Sequence, residues 1–210
     1  MLRSLDYRFT VHVFRWQEAM SEPDSTKNPW TTLESNVRFE NPWMRIMQNH
    51  VVNPTGHEGE YTVVHFKNRA VGVIPVDDES HTWLVGQYRY AVGSYEWEIV
   101  EGGAPEGESV LECAKRELTE ETGLVAEQFE LILDGLQLSN SITDERAYTF
   151  VARGLAQHIA MPEETEKLAV RRLPLEEAFE MALRGEIRDG FSVISLMKLK
   201  HLMLRNEFRI

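Results

Sequence analysis

The sequence predicts an α/β fold in which a mixed sheet of several strands packs against helices, preceded by a small β-rich N-terminal part. Strand-like segments follow one another through the first half of the 210 residues, without the strand–helix alternation of a doubly wound sheet. The hydrophobic period then changes to that of a helix near residue 109, and two further helical segments lie towards the C-terminus. These patterns indicate an α+β or a layered α/β/α domain.

The strand candidates begin after Trp30, are rich in β-branched or aromatic residues, and are bounded by Asp, Asn or Gly. The segment NVRFENPWMRIMQNHVVNP is typical of short strands that lead into a turn over residues 53–56. The next candidates are YTVVHF (61–66), AVGVIPV (70–76), TWLVGQYRY (82–90) and SYEWEIV (94–100). Two more follow the first helix, FELILDGLQL (129–138) and AYTFVARG (147–154).

The first helix has both of its ends marked in the sequence. Ser109 is a candidate N-cap with Glu112 three residues on, and Gly123 is a candidate C′ residue. The buried face is predicted from i, i+3, i+7 spacing, and its residues are Leu111, Ala114 and Leu118. The two later helices are predicted to begin at Leu175 and Ser192.

The order of these segments divides the chain into three predicted parts. Residues 1–29 form an extension that we expect to be partly poorly ordered, residues 30–60 form the small β-rich part, and residues 61–210 form the main domain. The first residues lack the continuous apolar region and small-residue cleavage site of a secretory signal.

Composition limits the ligands and the compartment. The formal charge of −12 argues against a general nucleic-acid or anionic-membrane surface, because such surfaces rely on clustered Lys and Arg. No apolar run approaches the roughly 20 residues of a membrane span. Cys113 is the only cysteine, so no internal disulfide forms, and a reducing, cytoplasmic location is expected. An anionic ligand would need local help from a metal or from a few placed arginines.

The segment EGGAPEGESVLECAKRELTEETGL (101–124) crowds seven glutamates together. At about 100° per residue, Glu117, Glu120 and Glu121 converge at the border of the apolar face of the helix. One interpretation is a solvated acidic face. The alternative is a cation site, because Arg116 alone cannot neutralise the cluster, and Mg²⁺ commonly binds carboxylates together with substrate phosphates. The neighbouring Gly102 would let the backbone approach such a site.

The spacing itself is specific. Gly102, Glu108, the run Arg116-Glu117-Leu118, the pair Glu120-Glu121 and the pair Gly123-Leu124 stand at the separations of the Nudix box, with no departure at a defined position. The chain therefore resembles the Nudix hydrolases. The resemblance implies an α/β/α sandwich and hydrolysis of a nucleoside diphosphate linked to another group, with Mg²⁺ or Mn²⁺.

The resemblance also implies a role for each residue of the box. Glu117, Glu120 and Glu121 are expected to bind metal, with the main-chain carbonyl of Glu101 as a further ligand. Arg116 is expected to orient the glutamates. The positions expected to be structural are Gly102, Glu108, which would hold the loop to the helix, and Gly123.

Segments outside the box resemble the subgroup that acts on ADP-ribose and other nucleoside diphosphate sugars. They are VGQYRY, EWEIVEGG and LSNSITDERAYTFVARGL. By this resemblance Arg89 is expected to bind substrate, and Glu145, beside Asp144, is expected to act as a base or a further metal ligand. The subgroup often has a Ser-Pro-Gly turn where this chain has Ser139-Asn140-Ser141, which leaves other sugar nucleotides such as GDP-mannose open.

Base recognition in this subgroup often involves the N-terminal β part and a dimer partner, so a homodimer is expected. Trp43, Tyr61 and Phe66 are candidates for stacking on substrate, with membership of the core as the alternative. Two other functions remain open: hydrolysis of a nucleoside triphosphate or dinucleoside polyphosphate, and a nucleotide-sensing domain without turnover. The complete set of box glutamates favours catalysis over sensing.

Overall fold

The computed structural model describes residues 27–158 and 168–208. Most of the predicted extension, residues 1–26, lies outside the described residues, and the predicted boundary between residues 60 and 61 falls inside a strand. The strands are β1 (Thr31–Glu40), β2 (Met44–Val52), β3 (Glu58–Phe66), β4 (Arg69–Pro75), β5 (His81–Arg89), β6 (Ser94–Glu98), β7 (Val100–Ala104), β8 (Leu124–Leu136), β9 (Ala147–Gln157) and β10 (Ala169–Pro174). The helices are α1 (Val110–Thr122), α2 (Leu175–Leu183) and α3 (Gly190–Leu204).

The N-terminal strands form a sheet of their own, with antiparallel order β1-β2-β3. The predicted turn between β2 and β3 is held by the side-chain oxygen of Asn53, which accepts hydrogen bonds from the backbone N–H groups of Thr55 and His57 at 3.0 Å. Strand β1 is mostly exposed. The β-rich N-terminal part is therefore confirmed as a three-stranded sheet.

The remaining strands form two sheets, with orders β10-β5-β6 and β7-β4-β9-β8. Strands β4 and β9 run parallel, whereas the other neighbours are antiparallel. The predicted mixed sheet is confirmed.

Helices pack on both faces of β4, because apolar side chains project from both sides of this strand. Val71 and Val73 belong to a core with Cys113, Ala114 and Leu118 of α1. Ile74 belongs to a second core with residues of α2 and α3, which include Phe179 and Leu196. The fold is thus the predicted α/β/α arrangement. Leu111, which was predicted to lie on the buried face of α1, is partly exposed in the first turn of that helix.

Both predicted ends of α1 are confirmed. The Ser109 Oγ accepts a hydrogen bond from the Glu112 N–H at 3.1 Å. Gly123 has φ 69°, a left-handed conformation that favours glycine, and its N–H donates to the Thr119 carbonyl at 2.9 Å. The Glu112 carboxylate accepts from Lys115 instead of returning to the cap, so only half of the capping box forms.

Several features of the fold differ from the sequence prediction. Strand β10 was not predicted, the segment 94–100 is divided into β6 and β7 at Ile99, and β7 continues through the glycines to Ala104. Helix α3 begins two residues earlier than predicted, because Asp189 caps it by accepting from the Ser192 N–H at 2.7 Å. Among the described residues no helix is long and apolar enough to cross a membrane.

Two leucines on α3 test where the core lies. Leu196 is fully buried in the core of α2 and α3, whereas Leu204 is 74% exposed on the same helix. We expect Leu196→Ala to lower the free energy of unfolding by about 2–5 kcal/mol and Leu204→Ala by less than about 0.5 kcal/mol. Urea denaturation of the two variants measures the difference, and equal losses would contradict this placement of the core.

Candidate active site

The contact between β7 and α1 forms the centre of the site. A Cβ atom built on Gly102 would lie 1.9 Å from both Cδ and Oε1 of Glu117. The side chain of Glu117 therefore occupies the space that any other residue at position 102 would fill. This close approach explains why glycine stands at the start of the box.

Arg116 connects the box carboxylates to one another. Its Nη1 donates to Glu117 Oε1 at 2.7 Å and to Glu120 Oε2 at 2.9 Å. Its Nε and Nη2 donate to the two carboxylate oxygens of Glu108 at 3.0 Å, and Nη2 also reaches the Gly103 carbonyl at 3.3 Å. These hydrogen bonds raise the pKa of Arg116, and the hydrogen bond to Glu108 has the largest effect. The same hydrogen bond lowers the pKa of Glu108. The glycine loop and the helix are therefore held by a single guanidinium.

Glu121 of α1 contacts the backbone of Glu101 on β7. Glu121 is buried, and its Oε2 accepts a hydrogen bond from the Glu101 N–H at 3.3 Å. The Glu101 carboxylate is directed towards α3, where it accepts from the Ser192 Oγ at 2.6 Å. Burial, followed by the charge of Asp189, raises the pKa of Glu101 well above its usual range. Only the main-chain carbonyl of Glu101 was predicted to take part, so the buried side chain is an addition.

Arg89 lies next to these carboxylates, on β5. Its Nε donates to Glu98 Oε1 at 2.9 Å and to Oε2 at 3.0 Å. The hydrogen bond to the buried Glu98 is the main cause that raises the pKa of Arg89, and the charges of Glu101 and Glu121 contribute. Arg89 thus lies within electrostatic reach of the box. Glu98 is not among the predicted residues.

Glu145 lies half-buried on the loop between β8 and β9. Burial, followed by the charges of Asp144 and Asp189, raises its pKa. Asp189 also raises the pKa of Glu101, so Glu145 and Glu101 both lie within electrostatic reach of Asp189. Glu145 thus shares a charged neighbour with the start of the box, although it stands over twenty residues away in the sequence.

Strand β3 anchors the loop that carries Glu145. The Asp144 carboxylate accepts from the Phe66 N–H at 3.1 Å and contacts His65 Nδ1 at 2.5 Å. The Val64 N–H donates to the Ile142 carbonyl at 2.8 Å. The position of Glu145 therefore depends on the N-terminal sheet as well as on the main domain.

Two of the three aromatic candidates, Trp43 and Tyr61, occupy different places. Trp43 is 66% exposed and lines a cavity of about 850 Å³ together with Glu117 and Glu120, so the alternative that it belongs to the core is wrong. Tyr61 donates its hydroxyl to the Ser141 carbonyl at 2.6 Å and packs edge-on against Trp30. Tyr61 lines a separate cavity of the N-terminal sheet. The structure brings Trp43, and not Tyr61, to the box.

The donor chemistry of the box fits a divalent cation. Glu117 and Glu120 border the same cavity, Glu121 bonds the backbone of β7, and all three offer the oxygen donors that hard cations prefer. Because Gly102 has no side chain, the carboxylate of Glu117 can lie against the strand.

A second group of possible metal ligands lies in the turn before β5, among the described residues, and consists of Asp77, Glu79 and His81. Arg172 Nη2 donates to carboxylate oxygens of Asp77 and Glu79 at 2.6 Å each. That arginine already pairs with both carboxylates, so this group is explained as an ion-pair network.

Comparison with protein families agrees with the fold and the site. Residues 66–192, more than half of the chain, match the NUDIX domain. Residues 30–64 match the nucleoside diphosphate sugar hydrolase N-terminal domain. The chain belongs to the Nudix family, as the sequence predicted, and it is a Nudix hydrolase.

Individual relatives agree with this assignment. The chain is 29% identical over 171 residues to a methanol dehydrogenase activator of Bacillus methanolicus, covering 80% of this chain and 91% of the relative. It is 32% identical over 139 residues to an ADP-ribose pyrophosphatase of Mycobacterium tuberculosis, covering 64% of this chain and 65% of the relative. The crystal structure of an ADP compounds hydrolase has the same fold, with a TM-score of 0.76 at 24% identity over 86% of this chain and 97% of that chain.

Two glycines test the contact between β7 and α1. We expect Gly102→Ala to displace Glu117 and to reduce metal-dependent turnover by at least about tenfold, because a predicted metal ligand moves. The matched control is Gly59→Ala on β3, where a Cβ would meet nothing within 4 Å. Turnover measured against Mg²⁺ concentration separates the two variants. Unchanged metal dependence in Gly102→Ala would contradict the assignment of Glu117.

Proposed function

We propose that this protein hydrolyses the pyrophosphate bond of a nucleoside diphosphate sugar, ADP-ribose or a related ADP- or GDP-sugar. The products are a nucleoside monophosphate and a sugar phosphate. The observation that carries the proposal is the complete box, in which Arg116 holds Glu117 and Glu120 while Gly102 leaves room for Glu117. The match of the N-terminal sheet to the sugar hydrolase domain and the relatives named ADP-ribose pyrophosphatase support the substrate class.

The proposed cofactor is Mg²⁺, with Mn²⁺ as a substitute. Glu117, Glu120, Glu121 and the main-chain carbonyl of Glu101 are the proposed ligands. When bound, such ions would neutralise the charge of the pyrophosphate and lower the pKa of water, so that it loses a proton more readily and attacks phosphorus.

The residues of the chain position the substrate and move the proton. Arg116 fixes the carboxylates of Glu117 and Glu120, so they need not reorganise when substrate binds. Arg89, held in orientation by Glu98, offers hydrogen-bond donors to the substrate next to the box. Glu145 accepts the proton of the attacking water, with a box glutamate as the alternative base.

The exposed Trp43 is proposed to stack on the base, because its ring borders the cavity of the box. Tyr61 is proposed to act on substrate indirectly, through the loop that it holds at Ser141. We also propose a homodimer, supported by the exposed edge strand β1. The single buried cysteine supports a cytoplasmic location.

A substrate panel tests the function. We expect turnover of ADP-ribose or GDP-mannose with Mg²⁺ to exceed that of a nucleoside triphosphate and a diadenosine polyphosphate, with the monophosphate and the sugar phosphate identified by product chromatography. Preference for the triphosphate or the diadenosine compound would favour the second candidate function. Absence of turnover with every compound would leave only a sensing role.

Two glutamates of α1 test the metal assignment. We expect Glu121→Gln to reduce turnover by orders of magnitude without loss of the fold, because it removes a proposed ligand while keeping the side-chain volume and an acceptor for the Glu101 N–H. The control is Glu112→Gln, whose exposed carboxylate pairs with Lys115 on the helix surface. Turnover and thermal melting of both variants provide the comparison, and near-normal activity in Glu121→Gln would show that Glu121 is not a ligand.

A further inference from the structure

A cavity of about 560 Å³ lies between the β5–β6 hairpin and the start of α3. Its size is that of a small-molecule site. The residues that line it are Arg89, Ala91, Val92, Ser94, Glu96, Glu98, Arg188, Asp189 and Gly190. It adjoins the box through Ser192, whose N–H donates to Asp189 in the lining of the cavity and whose Oγ donates to Glu101.

Two arginine–glutamate pairs form the polar wall of this cavity. Arg89 binds Glu98 through Nε and Nη2, and Arg188 binds Glu96 in the same way, with Nε at 3.0 Å from Oε2. Both glutamates are buried, so each guanidinium is fixed in orientation. The Nη1 atoms of both arginines have no hydrogen-bond partner within the residues that the structure describes, and they are available to a ligand in the cavity.

The charge of the lining residues indicates which part of a substrate can bind in this cavity. Two arginines face three carboxylates, those of Glu96, Glu98 and Asp189, so the lining is not positive overall. A phosphate would therefore meet cations that are already neutralised. No aromatic ring is among the lining residues, which leaves a base without a stacking partner. A neutral polyhydroxylated ligand suits the wall, because each hydroxyl both donates and accepts.

We propose that this cavity binds the sugar of the nucleoside diphosphate sugar and that the Arg188–Glu96 pair reads its hydroxyl groups. The inference rests on the proposed function and deepens it. Arg188 Nη1 donates to a sugar oxygen. Glu96 accepts from a hydroxyl, because Ser94 and Arg188 use three of the roughly four acceptor positions of its carboxylate. Arg188 and Glu96 are thus specificity-determining residues outside the box.

The test compares two substrates that share adenosine and the pyrophosphate bond. One is ADP-ribose, and the other is ADP esterified with methanol on the β-phosphate, which has no sugar at that end. We expect Arg188→Met to lower kcat/KM for ADP-ribose about tenfold or more, mainly through KM, and to change kcat/KM for the methyl ester less than about twofold. Arg188→Lys keeps a positive charge that can pair with Glu96 but lacks Nη1. We expect this variant to lose kcat/KM for ADP-ribose and not for the methyl ester, as Arg188→Met does. That result would exclude the loss of the partner of Glu96 as the cause.

The matched control is Arg205→Met, which removes a guanidinium of similar exposure paired with Glu207 at the end of α3. This variant is expected to leave kcat/KM unchanged for both substrates. Equal losses on both substrates in the Arg188 variants, or no loss, would overturn the sugar site while leaving the proposed function in place. If the wild type hydrolyses neither compound and also leaves GDP-mannose intact, the proposed function fails. Calorimetry with ribose 5-phosphate then decides the sugar site: wild-type binding that weakens about tenfold in Arg188→Met supports it, and any other result overturns it.

Discussion

The geometry of the site depends on the guanidinium of Arg116. Without it, Glu108, Glu117 and Glu120 would be three carboxylates on one loop and one helix, and their repulsion would drive them apart. The guanidinium binds Glu108 through one pair of nitrogens and the two helix carboxylates through Nη1. It also donates to the Gly103 carbonyl. One rigid, permanently charged group thus sets the distance between loop and helix.

An arginine held by a glutamate occurs twice more at the edge of the site. Arg89 and Arg188 are each held by a buried glutamate of β6, and each keeps one end of its fork towards a cavity. In a chain with a formal charge of −12, positive charge is scarce, and these arginines are fixed rather than left to move on the surface. Fixing them in advance lowers the entropy that substrate binding would otherwise cost.

Local patterns predicted the features that depend on local geometry. Spacings of three and four residues bring Glu117, Glu120 and Glu121 together on any helix, and Ser109 and Gly123 mark its ends because their chemistry is that of caps. Strand β10 was missed because only Leu173 among its residues is buried, which leaves no apolar alternation to detect. The pairing of Arg188 with Glu96 joins residues 92 positions apart, and no local pattern encodes such a contact. The alternation of Glu96 and Glu98 along β6 was the available signal, since both fall on one face of the strand.

The anchoring of the Glu145 loop on β3 divides the candidate machinery between two sheets. The box carboxylates are positioned by α1 and β7, whereas Glu145 is positioned through Asp144, His65 and Phe66 by the N-terminal sheet. A shift of that sheet against the main domain would carry Glu145 with it and leave the contacts of Arg116 unchanged. The N-terminal strands therefore influence the position of the proposed proton acceptor. A protein that pairs with the exposed edge of β1 would act on this residue before it acted on the proposed metal ligands.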